Sequence, residues 1–102
     1  MRRVMHGDVV AAARVLLGLP EQRRRRLCRQ MIDEAHAAHR FFRRFGQAHI
    51  VWGDGSLMAA AHKRMMQPEP SFSDSVYCAC VELVLHELIE WRAARRASLL
   101  RS

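Results

Sequence analysis

Apolar side chains recur every three or four residues along most of the chain, which is the spacing of one face of an α-helix. The most regular apolar stripe consists of Tyr77, Val81, Val84, Leu88 and Trp91, and Leu85 and Ile89 widen it on one side. A longer stripe lies nearer the N-terminus and consists of Leu27, Met31, Ala35, Ala38, Phe42 and Phe45. Signals for strands are nearly absent, since the chain has one tyrosine, no threonine and no Asn-Gly turn. The pattern predicts an all-α fold.

Turn and capping residues set the expected bounds of the first two helices. The first helix is predicted from about Asp8 to Leu17, with Asp8 as the N-cap and Gly18 as the stop. The second is predicted from about Pro20 to Phe45, because proline suits a first helical turn and Gly46 suits a helix end.

Two further helices are predicted in the second half of the chain. The third is expected from about Asp54 to Met66, capped by Asp54 and ended before Pro68-Glu69-Pro70. Its inward side chains are expected to be Leu57, Met58, Ala61 and Met65. The fourth is expected to start near Ser73 as its cap and to end between Arg96 and the C-terminus.

Two long and two short helices joined by short connections predict a compact four-helix arrangement, one domain over residues 1–102 with a basic tail from about residue 92. A hairpin of the two long helices, with the short ones packed across it, fits the same pattern.

The net charge of +7 and a pI near 10.9 predict attraction to anions. Sixteen of the seventeen basic residues are arginine, and Lys63 is the one lysine. Selection for the planar guanidinium, which suits phosphate and carboxylate, would produce this preference. A GC-rich coding bias, which we favour, would also produce this preference, but it would leave the net charge unexplained.

Arginines cluster near the predicted start and end of the second helix and in the C-terminal segment. Such basic ends can dock on an acidic protein, an anionic lipid or a nucleic acid. They can also be solvated helix ends, where cations favour the helix dipole. With two residues of the central loop, the candidate partner-binding residues are Arg23, Arg24, Arg25, Arg26, Arg40, Arg43, Arg44, His49, Trp52, Arg92, Arg95 and Arg96.

The loop from Ala48 to Met58 is richer in functional residue types than a connector needs, since it contains a histidine, a tryptophan, two glycines and an acid. The structural alternative is that Trp52 plugs the end of the core while Asp54 caps the third helix. The run from Trp52 to Met58, W-G-D-G-S-L-M, together with the opening His6-Gly7-Asp8, resembles a small bacterial family of roughly hundred-residue proteins of unknown function. That resemblance implies a helical protein and assigns no activity to any residue.

Metal binding and catalysis have weak support. His36, His39, His86 and Glu82 are the candidate metal ligands, although the paired Glu-x-x-His motif of di-iron bundles is absent and His36 is expected to face water. Cys78 and Cys80 would point about 200° apart on a helix, so they would not chelate together. No nucleotide-binding or nucleophile motif is present, so we predict a non-enzymatic protein without cofactor or metal.

Sequence-specific DNA binding by a helix-turn-helix is disfavoured, because the second predicted helix is too long for a recognition helix. No apolar run reaches the length of a membrane span, no export signal opens the chain, and three cysteines cannot form a complete internal disulfide set. We therefore expect a cytoplasmic protein.

The leading functional prediction is an interaction module that binds an acidic protein surface. The alternatives are a non-specific nucleic-acid-binding protein acting through its arginines and, third, a metal-binding bundle. The apolar excess of the long stripes also allows a homodimer.

Overall fold

A computed structural model describes residues 1–101 as four α-helices and no named strand. Their bounds are α1 His6–Leu17, α2 Glu21–Phe45, α3 Leu57–Ala61 and α4 Ser75–Arg101. The predicted all-α class, with two long and two short helices, is confirmed.

Helix α1 forms the centre of the molecule and packs against α2, α3 and α4. It is buried on nearly all sides, because Ala11, Ala12 and Ala13 let neighbouring helices approach closely while Val15 and Leu16 fill the core. An amphipathic helix would keep one polar face in water, so the near-total burial of α1 identifies it as a core element.

The two long helices, α2 and α4, run in the same direction. Arg29 in the first half of α2 bonds Glu87, whereas His36, two turns further on, contacts Trp91 and Arg95. Residue numbers therefore rise together along the interface, and the antiparallel hairpin of long helices is ruled out. The parallel arrangement brings the C-terminal ends of both helices to one end of the molecule.

The predicted N-cap of α1 is wrong by three residues. The N-cap is Met5, and Asp8 lies in the first turn, where its carboxylate accepts from the Met5 backbone N–H at 2.7 Å. Its other oxygen accepts from the backbone N–H of Met58, in the first turn of α3, at 2.9 Å. One buried carboxylate thus satisfies amides at the N-terminal ends of two helices.

The predicted caps of the other two helices are also corrected. Ser56, rather than Asp54, caps α3 by accepting from the Ala59 N–H at 3.1 Å. Before α4, Asp74 accepts from the Tyr77 N–H at 3.0 Å, a role assigned by sequence to Ser73.

The third helix ends five residues before its predicted end at Met66. The backbone bonds after α3 span three residues, from Lys63 N–H to the Ala60 carbonyl at 3.4 Å and from Arg64 N–H to the Ala61 carbonyl at 3.0 Å. The guanidinium of Arg64 also donates to the Ala60 carbonyl at 3.0 Å. Beyond that point Gln67 and Arg14 exchange hydrogen bonds, Gln67 N–H to the Arg14 carbonyl at 3.1 Å and Arg14 Nε to the Gln67 carbonyl at 2.7 Å. The chain is thereby turned back onto α1.

Most of the predicted apolar stripes face the core, but some of their members are exposed. The buried members include Met31, Ala35, Ala38, Val84 and Leu88. The corrections are Phe42, Phe45, Met65, Leu85 and Ile89, all exposed. The C-terminal end of α2 extends beyond the core, so Phe42 and Phe45 are exposed. Helix α1 is too short to cover the side of α4 that carries Leu85 and Ile89.

The loop before α3 passes directly over α2 at Gly55. This glycine has φ +96°, and a Cβ built on it would lie 2.6 Å from the Cα of His39. Both the left-handed backbone and the contact with the α2 backbone require glycine here.

We predict that Gly55→Ala lowers the free energy of unfolding by about 2–5 kcal/mol, since it adds left-handed strain to a clash with backbone. The matched control is Gly46→Ala, because Gly46 has φ +72° but open space around its Cβ position. The control should cost only about 1–2 kcal/mol. Urea denaturation measures both variants, and equal losses would contradict the packing argument.

We predict that Asp8→Asn destabilises the fold by about 1–3 kcal/mol, because the amide NH₂ would face a backbone N–H that now donates to a carboxylate oxygen. Asp74→Asn is the control, since asparagine serves as well as aspartate at an exposed N-cap and should cost less than about 0.5 kcal/mol. Thermal and urea unfolding would show the difference. An Asp8 variant as stable as the Asp74 variant would disprove the double-capping role.

Candidate partner-binding surface

The parallel arrangement of α2 and α4 collects arginines from two separate parts of the sequence. Because Arg95 bonds His36, one turn before Arg40, the last turns of α2 and α4 lie at the same level. We call this region the arginine end; it consists of Arg40, Arg43, Arg44, Arg95 and Arg101.

No acidic side chain neutralises the arginine end. The sequence has no aspartate or glutamate between Glu34 and Asp54, and none after Glu90. The nearest acid along the chain after α2, Asp54, already pairs with Arg2 at 2.6 Å. Within residues 1–101, no ion pair involves Arg40, Arg43, Arg44 or Arg101. The region therefore presents uncompensated positive charge.

The arginine run at the start of α2 lies about 30 Å away, at the opposite end of that helix. Arg24 donates to the carbonyls of Leu16 and Leu19 at 3.0 and 3.1 Å and so caps the end of α1. Arg25 shares the buried carboxylate of Glu87 with Arg29, at 3.1 and 2.5 Å. These two predicted binding residues have structural partners, whereas Arg23 and Arg26 form no ion pair with a described residue.

The two predicted loop residues stack on one another beside the arginine end. The rings of His49 and Trp52 are 4.8 Å apart and 14° from parallel, and the edge of Phe41 meets His49 at 5.0 Å. His49 Nδ1 accepts from the backbone N–H groups of Val51 and Trp52 at 3.0 and 3.1 Å. His49 therefore organises the loop.

Sequence reasoning missed the apolar part of this surface. Ile50 is 93% exposed, Val51 54% and Phe45 56%, and the Arg44 guanidinium lies 5.4 Å from the Phe45 ring centre. The helical spacing of the α2 stripe predicted that Phe45 lies in the core, so its exposure was not expected. The sequence signal for this exposed apolar surface was a pair of adjacent aliphatic residues, Ile50 and Val51, in the loop between Gly46 and Gly53.

The remaining candidates, Arg92 and Arg96, lie on a different side of α4 from the arginine end. Arg92 lines an apolar groove between α4 and the start of α1. Neither forms an ion pair with a described residue, and both are exposed. The predicted binding residues therefore fall on three surfaces rather than one.

The expectation that His36 faces water is wrong. Its ring is partly buried between the N-terminal nitrogen, 2.7 Å from Nδ1, and an Arg95 guanidinium nitrogen, 2.9 Å from Nε2, with Trp91 edge-on at 5.0 Å. Burial, with the positive charges of the N-terminus and Arg95, lowers the His36 pKa to about 4. Burial, followed by Arg95, also lowers the pKa of the N-terminal amine. The guanidinium of Arg95 can only donate, so the neutral ring accepts from it at Nε2.

The four candidate metal ligands are not gathered into one site. His36 and His39 lie on α2, whereas Glu82 and His86 line a separate surface of α4 beside Arg24 and Arg25. Across residues 1–101, no three histidine, cysteine, aspartate or glutamate side chains are placed to hold one ion.

The cysteines have the chemistry of buried thiols. Burial raises the pKa of Cys28 to about 12 and also raises that of Cys80, so both remain protonated at neutral pH. Cys78 lies near the surface, with Sγ 3.0 Å from the Phe72 carbonyl. Within the described part of the chain, none of the helices combines the length and apolar character needed to cross a membrane.

We predict that the His36 ring proton shifts titrate in NMR with a midpoint near 4 rather than near 6.5. Between pH 4 and pH 6.5, His36 of the unfolded chain therefore binds more protons than His36 of the folded protein. As the pH drops through this range, His36 lowers the free energy of unfolding. His36→Gln should flatten that part of the pH–stability curve, and Arg95→Gln should raise the His36 midpoint. A wild-type midpoint near 6.5 would contradict the enclosed, cation-flanked ring.

Comparison with known proteins identifies a family. No curated protein and no solved structure matches this chain. The model of a family described as a domain of unknown function, DUF7742, matches residues 2–88, which include α1, α2, α3 and the first half of α4. A family without an assigned function agrees with what the resemblance of the Trp52–Met58 run implied. The chain belongs to the DUF7742 family.

Proposed function

We propose that the protein is an interaction module that binds an acidic protein surface through its arginine end. The observation that carries this proposal is a set of arginines without acidic partners, Arg40, Arg43 and Arg44, beside exposed apolar side chains. Guanidinium groups bind carboxylates through paired hydrogen bonds, and they do so most strongly where neighbouring apolar contacts exclude water.

The apolar component favours a protein over a nucleic acid as the partner. Phe45, Ile50 and Val51 can pack against apolar side chains of a protein, as in the core of an ordinary interface. Nucleic-acid surfaces offer phosphates to the arginines but little that matches two exposed aliphatic side chains. The surrounding charge would speed encounter with an acidic partner and align it, while the apolar contacts would slow its release.

We expect Arg40→Gln/Arg43→Gln/Arg44→Gln to lose the acidic proteins that the wild type captures from extracts of its own cells. The control, Arg3→Gln/Arg23→Gln/Arg26→Gln, removes the same charge from exposed positions elsewhere. Quantitative mass spectrometry of the captured proteins compares the three. A loss of at least about tenfold for the first variant alone supports the proposal. Equal capture by both variants, or no acidic protein captured by the wild type, contradicts it.

Nucleic-acid binding is the alternative, because the same arginines could meet phosphates. Fluorescence anisotropy of labelled DNA and RNA duplexes across a salt series separates the two. The alternative requires an affinity that falls steeply with salt. Our proposal predicts weak binding that Gln substitutions at Arg23 and Arg26 reduce as much as those at Arg40 and Arg43.

A further inference from the structure

One side of α4 carries apolar side chains that the fold leaves uncovered. Leu85 is 47% exposed and Ile89 61%, and both line a groove of about 400 Å³ between α4 and the start of α1. The walls of the groove include Met5 and Phe72, which are also largely exposed. Contiguous apolar surface of this kind is typical of an interface.

The side chains along this side of α4 form two rows with seven-residue spacing. Glu82, Ile89 and Arg96 form one row. Leu85, Arg92 and Leu99 form the other. Alternating steps of three and four residues between the rows have the spacing of a helix-pairing seam, here with three apolar and three charged members. We call these six residues the α4 seam.

The charges of the α4 seam are ordered along the helix. Its acidic residue, Glu82, lies seven residues before Ile89, and the basic Arg96 lies seven residues after it. An axis that passes through Ile89 at right angles to α4 therefore relates the position of Glu82 to that of Arg96, since both lie at the same distance from it. A two-fold axis at that point would make the seam complementary to itself.

We propose that the α4 seam binds a second copy of this chain, with the two α4 helices antiparallel and Ile89 at the two-fold axis. In this register Glu82 of each copy faces Arg96 of the other, so two ion pairs flank the central isoleucines. Leu85 meets the aliphatic stem of Arg92 from the second copy, which can cover apolar surface while its guanidinium stays in water. Met5 and Phe72 extend the contact on either side.

The charge order selects the antiparallel arrangement. A parallel pair would place Arg92 against Arg92 and Arg96 against Arg96, at a cost in repulsion. Neither arginine has an ion partner among residues 1–101, so both are available to a second copy. The proposal uses a surface separate from the arginine end, which stays accessible in the dimer.

The size of the contact predicts a weak dimer. From Glu82 to Arg96 the α4 seam is about 21 Å long, and specific interfaces bury roughly 1,200–2,000 Å² in total. A seam of this length and one helix wide is small against that range. The +7 charge of each copy further opposes association. We therefore expect a dissociation constant in the micromolar range, about 1–100 µM.

Sedimentation equilibrium of the full chain, at concentrations from about 1 to 300 µM, tests the proposal. The mass should rise from 11.8 kDa towards twice that value. Ile89→Glu should remain monomeric throughout, with an unchanged circular dichroism spectrum because the position is exposed. A wild type that stays at 11.8 kDa at the highest concentration overturns the proposal, as does an Ile89→Glu protein that dimerises normally.

Charge reversal tests the antiparallel register. Glu82→Arg and Arg96→Glu should each weaken the dimer at least about tenfold, and the double variant should recover most of that loss. Glu90→Arg is the matched control, since it makes the same charge change on another side of α4 and should leave the dissociation constant within about threefold. Failure of the double variant to recover, or equal weakening by Glu90→Arg, overturns the register. None of these variants alters Arg40, Arg43 or Arg44, so this result is independent of acidic-partner binding.

Discussion

The carboxylate of Asp8 is the contact on which the arrangement of the helices depends. Bound to amides of Met5 and Met58, it fixes the start of α1 against the start of α3. The loop before α3 is thereby held against α2, where Gly55 passes the backbone of His39. A short buried helix at the centre can organise the others because Asp8 joins its N-terminal end to α3, while the Arg24 guanidinium joins its C-terminal end to α2.

This arrangement concentrates positive surface charge at one end of the molecule. Packed against each other and against α1, α2 and α4 run parallel, and their arginine-rich C-terminal turns lie at one end of the molecule. Arginines near a helix C-terminus are individually favoured by the helix dipole. The two ends lie together without an intervening acidic residue, whereas elsewhere in the fold the buried carboxylate of Glu87 lies between Arg25 and Arg29.

The spacing of apolar residues was sufficient to predict the class of the fold, the four helices and most of the core. This is because the side of a helix that is buried carries apolar residues at regular intervals in the sequence. The prediction failed where tertiary geometry decides burial. Phe45 continues the stripe of α2 past the end of the core, and Ile89 widens the stripe of α4 past the reach of α1. The parallel packing of α2 and α4 has no local signal. The arginine end could therefore be predicted only in parts. Arg24 and Arg25, which are also among the predicted binding residues, have structural partners in the fold.

The central claim is that the arginine end, and not basic charge in general, binds acidic surfaces. Titration of ¹⁵N-labelled protein with a poly-glutamate peptide tests it most directly, with amide chemical shifts as the readout. The account predicts that the largest shifts fall on Arg43, Arg44 and the loop around Ile50, with little change at Arg23 and Arg26. Equal shifts at both ends of α2 would contradict the account, because charge alone would then govern the interaction.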